Sequence, residues 1–404
     1  MPNDIHEPIF YVAKDPERAM GLEMILKNYH VICPYESPLT AKFRDLGTPV
    51  YVLEEKSGEG WEKYLRAGTY GILAMTDVQA YIRNRAKNKT PHILVLKVSR
   101  LIEKIAQKHG WKLLAPKAAL AEKYERKISQ YRLLKNLVAF PPTYLGSLQQ
   151  LQKSLSASIF PAVMQFNIGH SGNTTFLLKS LKDLDPHVQQ HPKRDVRISP
   201  HIKGETYTLN ALVTKKGDVY TGSISLQLTG LPEATGNPAT TVGNDFGEAA
   251  RNLSAQQARH IAAYAQTLGA FMHKEGYRGL FGIDVIVESE SAKVYFIEVN
   301  THQPASIPFE TKLHMLLWKM PLMHIFIHDM MEENLHIATE KRPPLLLPFA
   351  ARQVVYRNKE KKNVPAITIR MPKGTSGILT RMEEVAPNEE LFRIQHIANP
   401  IEKI

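Results

Sequence analysis

The sequence predicts a protein of mixed class, α/β at its N-terminus and α+β beyond it. Three observations carry this. Short apolar runs alternate with helical stretches over the first 115 residues, the pattern of a parallel, doubly wound sheet. Residues 279–306 (GLFGIDVIVESESAKVYFIEVNTHQPAS) hold two runs of alternating apolar and polar residues about a polar turn; this reads as a β-hairpin with one buried face. Past residue 341 a basic, Pro-rich start gives way to strand-like text, a small C-terminal β-containing subdomain. The chain has 404 residues, enough for two or three domains.

The elements follow in order. Residues 8–13 (PIFYVA) form the first strand, and a helix follows through Leu26. Residues 31–32, 50–53, 72–75 (ILAM) and 92–96 continue the strands. Residues 100–109 are helical by spacing, with Leu101, Ile102, Ile105 and Ala106 on one face; residues 112–115 add the next strand. Ala13-Lys14-Asp15-Pro16 lacks the glycines of a dinucleotide loop. Pro116 opens a helical region over 117–137, which ends at the rigid Phe140-Pro141-Pro142 exit. A strand at 160–166 leads into Gly169-His170-Ser171-Gly172. Its glycines would let backbone N–H groups approach phosphate oxygens, although a plain β-turn is the commoner outcome for such a motif.

Residues 206–213 and 219–228 pair about the turn Lys216-Gly217-Asp218. Residues 229–246 are rich in Gly, Pro, Thr and Asn without periodicity; an irregular stretch of that length is usually functional. Ser254 caps a helix over 255–275. Residues 309–335 read as helical, with His324 and His328 four apart. Without a third ligand they are read as helix packing, not a zinc pair. Strand text returns at 350–356 and 367–371.

The net charge is +12, which favours anionic partners. The basic groups at 83–89, 193–197 and 357–362 are not interleaved with aromatics, so nucleic acid is not the expected partner. No apolar run reaches the ~20 residues of a membrane span, and MPNDIHEPIF is not a secretory signal. The single cysteine, Cys33, lies in an apolar run and reads as a buried structural thiol. A cytoplasmic setting is the expectation.

The chemistry concentrates in the hairpin. Asp284 interrupts its first strand and Glu298 its second, and Asn300 shares the face of Glu298. Either acid alone would most simply be a solvated surface charge. Together the two carboxylates and the carboxamide form a hard-oxygen set suited to Mg²⁺ or Mn²⁺, and hence to phosphate oxygens and a nucleotide.

The order of segments from 116 to 309, with Gly-x-Asp at Asp284 and Glu-x-Asn at Glu298 and Asn300, resembles the ATP-grasp superfamily of carboxylate–amine and carboxylate–thiol ligases. That superfamily includes biotin carboxylase and D-alanine–D-alanine ligase. The resemblance implies a pre-ATP-grasp domain over 1–115 and an N-lobe with a phosphate flap over 116–198. A C-lobe with the metal site would span 199–340, and the C-terminal subdomain 341–404. It implies ATP and Mg²⁺ as cofactors, with Asp284, Glu298 and Asn300 as metal ligands. Gly169, Ser171 and Gly172 would form the flap. Ser199, Pro200, His201 and Ile202 would form the adenine linker, Glu205 would meet ribose, and Lys127 would touch phosphate. Four positions depart from the usual pattern. Arg126 stands for an acid, Gln165 for a phosphate-facing lysine, Ser199 for a glutamate, and His302 for a late arginine.

The activity implied is an ADP-forming ligase that joins a carboxylate to an amine through an acyl phosphate. His302, Arg278 and Arg251 are candidates for the substrate or the transferred phosphate. Partners would be a small carboxylate and an amine, with a peptide or carrier protein within reach, and the chain would be a homodimer. A second reading is an ATP-binding regulatory or scaffolding module without turnover, motivated by Gln165 and Ser199. A nucleic-acid binder is a third, motivated by charge alone.

Overall fold

The computed structural model describes residues 5–167, 174–333, 337–365, 375–379, 385 and 387–398. Its strands form three sheets. The first is parallel throughout and contains β1 (Ile9–Val12), β2 (Tyr29–Cys33), β3 (Val50–Val52), β4 (His92–Val95) and β5 (Lys112–Leu114), in the order β3-β2-β1-β4-β5. Successive β1 side chains point to opposite faces, and both faces are covered. Phe10 and Val12 pack with Ile72, Leu73 and Ile102 on one side. Ile9 and Tyr11 pack on the other with Leu322, Phe326 and Ile327 of the helix Leu322–Met330. The expected double winding is present, but one cover comes from the far end of the chain.

The second sheet is antiparallel and holds β6 (Tyr144–Ser147), β7 (Ala162–Phe166), β8 (Thr175–Leu178) and β9 (Asp195–Pro200), ordered β6-β9-β7-β8. The third has eight strands. They are β10 (Gly204–Val213), β11 (Val219–Thr229), β12 (Thr241–Asp245), β13 (Gly279–Glu288), β14 (Val294–Asn300), β15 (Ala351–Arg357), β16 (Thr375–Leu379) and β17 (Glu390–Ile397). Their order is β14-β13-β10-β11-β12-β15-β17-β16. The C-terminal strands, expected as an appended subdomain, extend this sheet through the β12–β15 pairing. The 20-residue helix Ala255–Lys274 covers the β10–β13–β14 face with Ile261, Tyr264, Ala265 and Leu268. Its capping box on Ser254 fixes where it starts.

Several sequence expectations change. Residues 72–75, expected as a strand, belong to the helix Gly68–Ala74 and its cap. A four-residue apolar run has no period to separate the two conformations, and packing decided for helix. The helix expected through Leu26 is a 3₁₀ turn, Pro16–Ala19, after which Gly21 adopts a positive φ of 90°. On the helix Arg100–Lys108, Ile102, Ile105 and Ala106 are buried as expected, but Leu101 is exposed. The 117–137 region is two helices, Ala118–Glu125 and Lys127–Leu134, broken at an extended Arg126. The 309–335 region is also two, Ile307–Leu316 and Leu322–Met330, separated by Trp318 in the left-handed region and by Pro321. The irregular 229–246 stretch ends in β12, whose Asp245 accepts from the Glu248 N–H at 2.8 Å and caps the next helix. The strand expected at 367–371 lies outside the described residues.

Candidate functional site

The hairpin β13–β14 is registered so that Asp284 stands directly opposite Glu298 and Gly282 opposite Asn300. Ile283, Val285, Phe296 and Val299 fill the core beneath the helix Ala255–Lys274. That leaves Asp284, Glu298 and Asn300 together on the other face, beside a bulge between Asp284 and Val285. They line a cleft of about 300 Å³.

The cluster is densely bonded. Thr208, opposite Asp284 across β10–β13, donates its hydroxyl to Asp284 Oδ1 at 2.7 Å, and Gln227 Nε2 donates to the same oxygen at 2.7 Å. Asn300 Nδ2 lies between the two acids, 3.1 Å from Asp284 Oδ2 and 3.4 Å from Glu298 Oε1. Lys127 Nζ is ion-paired with Glu298 Oε2. The helix break at Arg126 makes this reach possible: Lys127 starts a new helix, its N–H bonded to the Asn167 carbonyl at 3.0 Å. Burial, and then the nearby Arg197 charge, bring the Lys127 ammonium down to about 7. Burial raises the pKa of Asp284, against the hydrogen bond from Thr208 and the charge of Lys127.

Opposite the hairpin, Gln165 and Thr175 line the cleft from β7 and β8. Arg197 faces Gln165 across the β7–β9 pair. Its Nε donates to Gln165 Oε1 at 3.0 Å, joined there by Nη2, and Nη2 also donates to the Ile297 carbonyl at 3.1 Å. His302 closes one end. Its Nδ1 lies 2.5 Å from Glu125 Oε1, and Lys97 pairs with the other oxygen of Glu125. Burial would raise the Glu125 carboxyl, but His302 and Lys97 outweigh it and hold the group at about 2.

Asp284, Glu298, Asn300, Lys127, Gln165 and His302 therefore meet in one cleft. Other candidates lie elsewhere. Arg278 is half-buried against Asp329, with Nε 2.6 Å from Oδ2. It precedes β13 and sits six residues from Asp284, roughly 20 Å along an extended strand, so nearness in sequence misled. Arg251 is exposed and pairs with Glu248 on its own short helix. Neither arginine lines the cleft. Ser199 and Pro200 end β9 beside Val163 and Ala162, and His201 N–H bonds the Pro161 carbonyl at 2.8 Å. Ile202 follows, and Glu205 on β10 accepts from Tyr207 at 2.5 Å and Asn252 at 3.0 Å. These five residues do not line the cleft itself. Gly169, Ser171 and Gly172 lie outside the described residues.

Sequence reasoning missed Thr208, Gln227, Glu125 and Arg197. Gln227 carried a signal, a polar residue in the alternating run 224–228 (ISLQL) that shares a face with Ser225. Arg197 carried one too, a cation between Val196 and Ile198 that alternation sends to the face opposite the core.

A divalent cation fits the oxygen cluster. Asp284 is buried and makes no ion pair among the described residues; only neutral donors meet it. The Asn300 amide bridges the two acids, and turning it over would present its oxygen to an ion between them. No group of three His, Cys, Asp or Glu suited to a metal occurs among the described residues; the cluster here is two carboxylates and a carboxamide. His324 and His328 are buried with Nε2 atoms 2.6 Å apart, and His328 Nδ1 lies 2.6 Å from Glu333 Oε2.

No family model matches the sequence, and no curated protein sequence does. Solved structures do. The biotin carboxylase domain of Hydrogenobacter thermophilus 2-oxoglutarate carboxylase, in complex with MgADP, ADP and bicarbonate, matches with a TM-score of 0.68 at 12% identity, over 97% of this chain and 86% of that one. N5-carboxyaminoimidazole ribonucleotide synthetase from Thermotoga maritima matches at 0.60 and 13%, over 98% and 95%. The Aspergillus clavatus N5-carboxyaminoimidazole synthase, with ADP and 5-aminoimidazole ribonucleotide, matches at 0.62 and 12%, over 98% and 95%. Shared along nearly the whole chain, this architecture of parallel sheet, four-stranded lobe and large antiparallel sheet shows that the protein has the ATP-grasp fold.

Proposed function

We propose that the chain is an ATP- and Mg²⁺-dependent ligase that joins a carboxylate to an amine through an acyl phosphate. The observation that carries this reading is the oxygen cluster of Asp284, Glu298 and Asn300 facing Lys127 in one cleft. Similar folds bind MgADP or ATP, in the Hydrogenobacter domain and in an Aspergillus clavatus synthase, which supports ATP as the nucleotide here. Asp284, Glu298 and Asn300 would hold the metal, which when bound neutralises phosphate charge and orients the transferred group.

The chain's own residues do the rest. Thr208 and Gln227 hold the Asp284 carboxylate in place. Lys127 meets phosphate, and Gln165 and Thr175 offer neutral donors on the opposite wall. His302, oriented by Glu125, borders the place where substrate meets phosphate. With Arg251 and Arg278 engaged elsewhere, the carboxylate substrate is recognised by His302 and by the neutral wall of Thr241, Asn244 and Ser306. A small amino acid or peptide suits this wall. Residues 1–115, 116–198, 199–340 and 341–404 act as the functional units of the chain, which works as a homodimer.

Calorimetric titration of MgATP tests the site. Binding in the wild type that is lost with EDTA, and lost at least tenfold in Glu298→Ala, is expected. Metal-independent binding, or an unaffected variant, would remove the cluster from the reading. The neutral Gln165 favours the second reading, a nucleotide-binding module without turnover. Phosphate release on addition of carboxylate–amine pairs separates the two.

A further inference from the structure

Among the described residues two arginines are almost wholly buried, and they differ in how their charge is met. Arg393 is 4% exposed and closed by carboxylates, with Nη2 2.7 Å from Glu390 and 3.5 Å from Glu17. Arg197 is 5% exposed and makes no ion pair among the described residues. Its partners are the Gln165 carboxamide oxygen, the Ile297 carbonyl and, at 5.9 Å, the ring of Phe140. Its Nη1 is buried without a hydrogen-bond partner. A buried cation without an anion is costly, and this one stands behind a cleft wall. Gln165, which lines that wall, has its oxygen held by Arg197, and so its NH₂ is turned the other way, 3.5 Å from the cleft-lining Thr175 hydroxyl.

We propose that Arg197 is a positioning residue for the nucleotide phosphates. It fixes the Gln165 carboxamide by its oxygen, presents the NH₂ to the cleft, and sets a buried positive charge directly behind it. The pair thereby does on two adjacent strands what a single lysine would do at position 165. A clamp between β9 and β14 would need only a neutral donor to the Ile297 carbonyl; the charge, and the fork on Gln165, are what a polyanion requires. This rests on the nucleotide reading above.

The test is a double-mutant cycle read by calorimetric titration of MgADP. Arg197→Met is expected to weaken binding tenfold or more, and Gln165→Met to weaken it comparably. In the Gln165→Met background, Arg197→Met should then add less than threefold. Gln165→Lys should restore binding to Arg197→Met. A wild-type dissociation constant in Gln165→Met overturns the proposal even if Arg197→Met fails to fold. An undiminished Arg197→Met effect in the Gln165→Met background also overturns it and leaves a lobe clamp. Wild-type protein that does not bind MgADP at millimolar concentration overturns the nucleotide reading itself, whereas wild-type binding with unaffected variants overturns only the role of Arg197.

Discussion

Glu310 illustrates what burial does to a single side chain behind the cleft. Asn210 Nδ2 donates to its Oε2 and the Ser223 N–H to its Oε1, both at 2.7 Å, and Asn210 also donates to cleft-lining Ser306 at 2.9 Å. Burial raises its carboxyl from 4.5 to about 7, against the Asn210 and Ser223 hydrogen bonds. His314, 3.8 Å away, is pushed down to about 3 by burial and stays neutral through that window. The folded state thus holds the Glu310 proton more tightly than the unfolded chain. The stability this contributes is full below about 4.5 and is lost as pH rises to about 7. Glu310→Gln should therefore gain stability relative to wild type between pH 5 and pH 8, by up to roughly 3 kcal/mol. Urea unfolding at both pH values measures it; a difference that does not change with pH would remove burial as the cause. The same scale explains which site residues were legible. Asp284, Glu298 and Asn300 were, because a period of two places them on one face using only their own strands. Arg197 was not, because its meaning depends on Gln165 opposite, and that pairing skips over β8.

At the scale of elements, ends were more legible than interiors where capping chemistry is explicit. Ser254 and Gln257 form a reciprocal box, with the Ser254 hydroxyl accepting from the Gln257 N–H at 3.2 Å and the Gln257 side chain accepting from the Ser254 N–H at 2.9 Å. Ser254→Ala should cost about 1 kcal/mol by thermal or urea unfolding, without altering the cleft on the far side of the sheet. A loss well below that would mean solvent satisfies the helix end equally well. Breaks were less legible. Nothing in the local text of Glu125-Arg126-Lys127 stops a helix. The interruption exists because Glu125 turns to His302 and Lys97 while Lys127 turns to Glu298, and those partners lie far along the sequence. Residues 72–75 failed for the reverse reason: their text suits a strand, but the helix packs Ile72 and Leu73 under the parallel sheet.

At the scale of the whole molecule, the three sheets are joined by polar contacts that end at the site. The Tyr11 hydroxyl of β1 donates to Gln303 Oε1 at 2.6 Å, and Gln303 is held further by the Arg18 and Leu96 carbonyls. Gln303 follows His302 directly, so the N-terminal sheet helps to place the residue that closes the cleft. Tyr11→Phe leaves a buried carboxamide oxygen without its donor and should cost about 1–3 kcal/mol, measured by denaturant midpoint. An unchanged midpoint would show that the contact is dispensable. Fold class was legible at this scale because alternation of strand and helix over 115 residues is a long signal. The union of the C-terminal strands with the large sheet was not, since it depends on β12 pairing with β15 across a hundred intervening residues or so.

The helix Leu322–Met330 packs under β1 and β2, which bears on how the chain emerges from the ribosome. When the fifth parallel strand has been made, the apolar face formed by Ile9, Tyr11 and Val31 has Leu22, Leu39 and Phe43 against it but still lacks Leu322, Phe326 and Ile327. At ~5–20 residues per second, the covering helix follows roughly 10–40 s later. Residues 9–114 are thereby obliged to wait with one hydrophobic face only partly covered, and that face is the part of the nascent chain with most need of shelter.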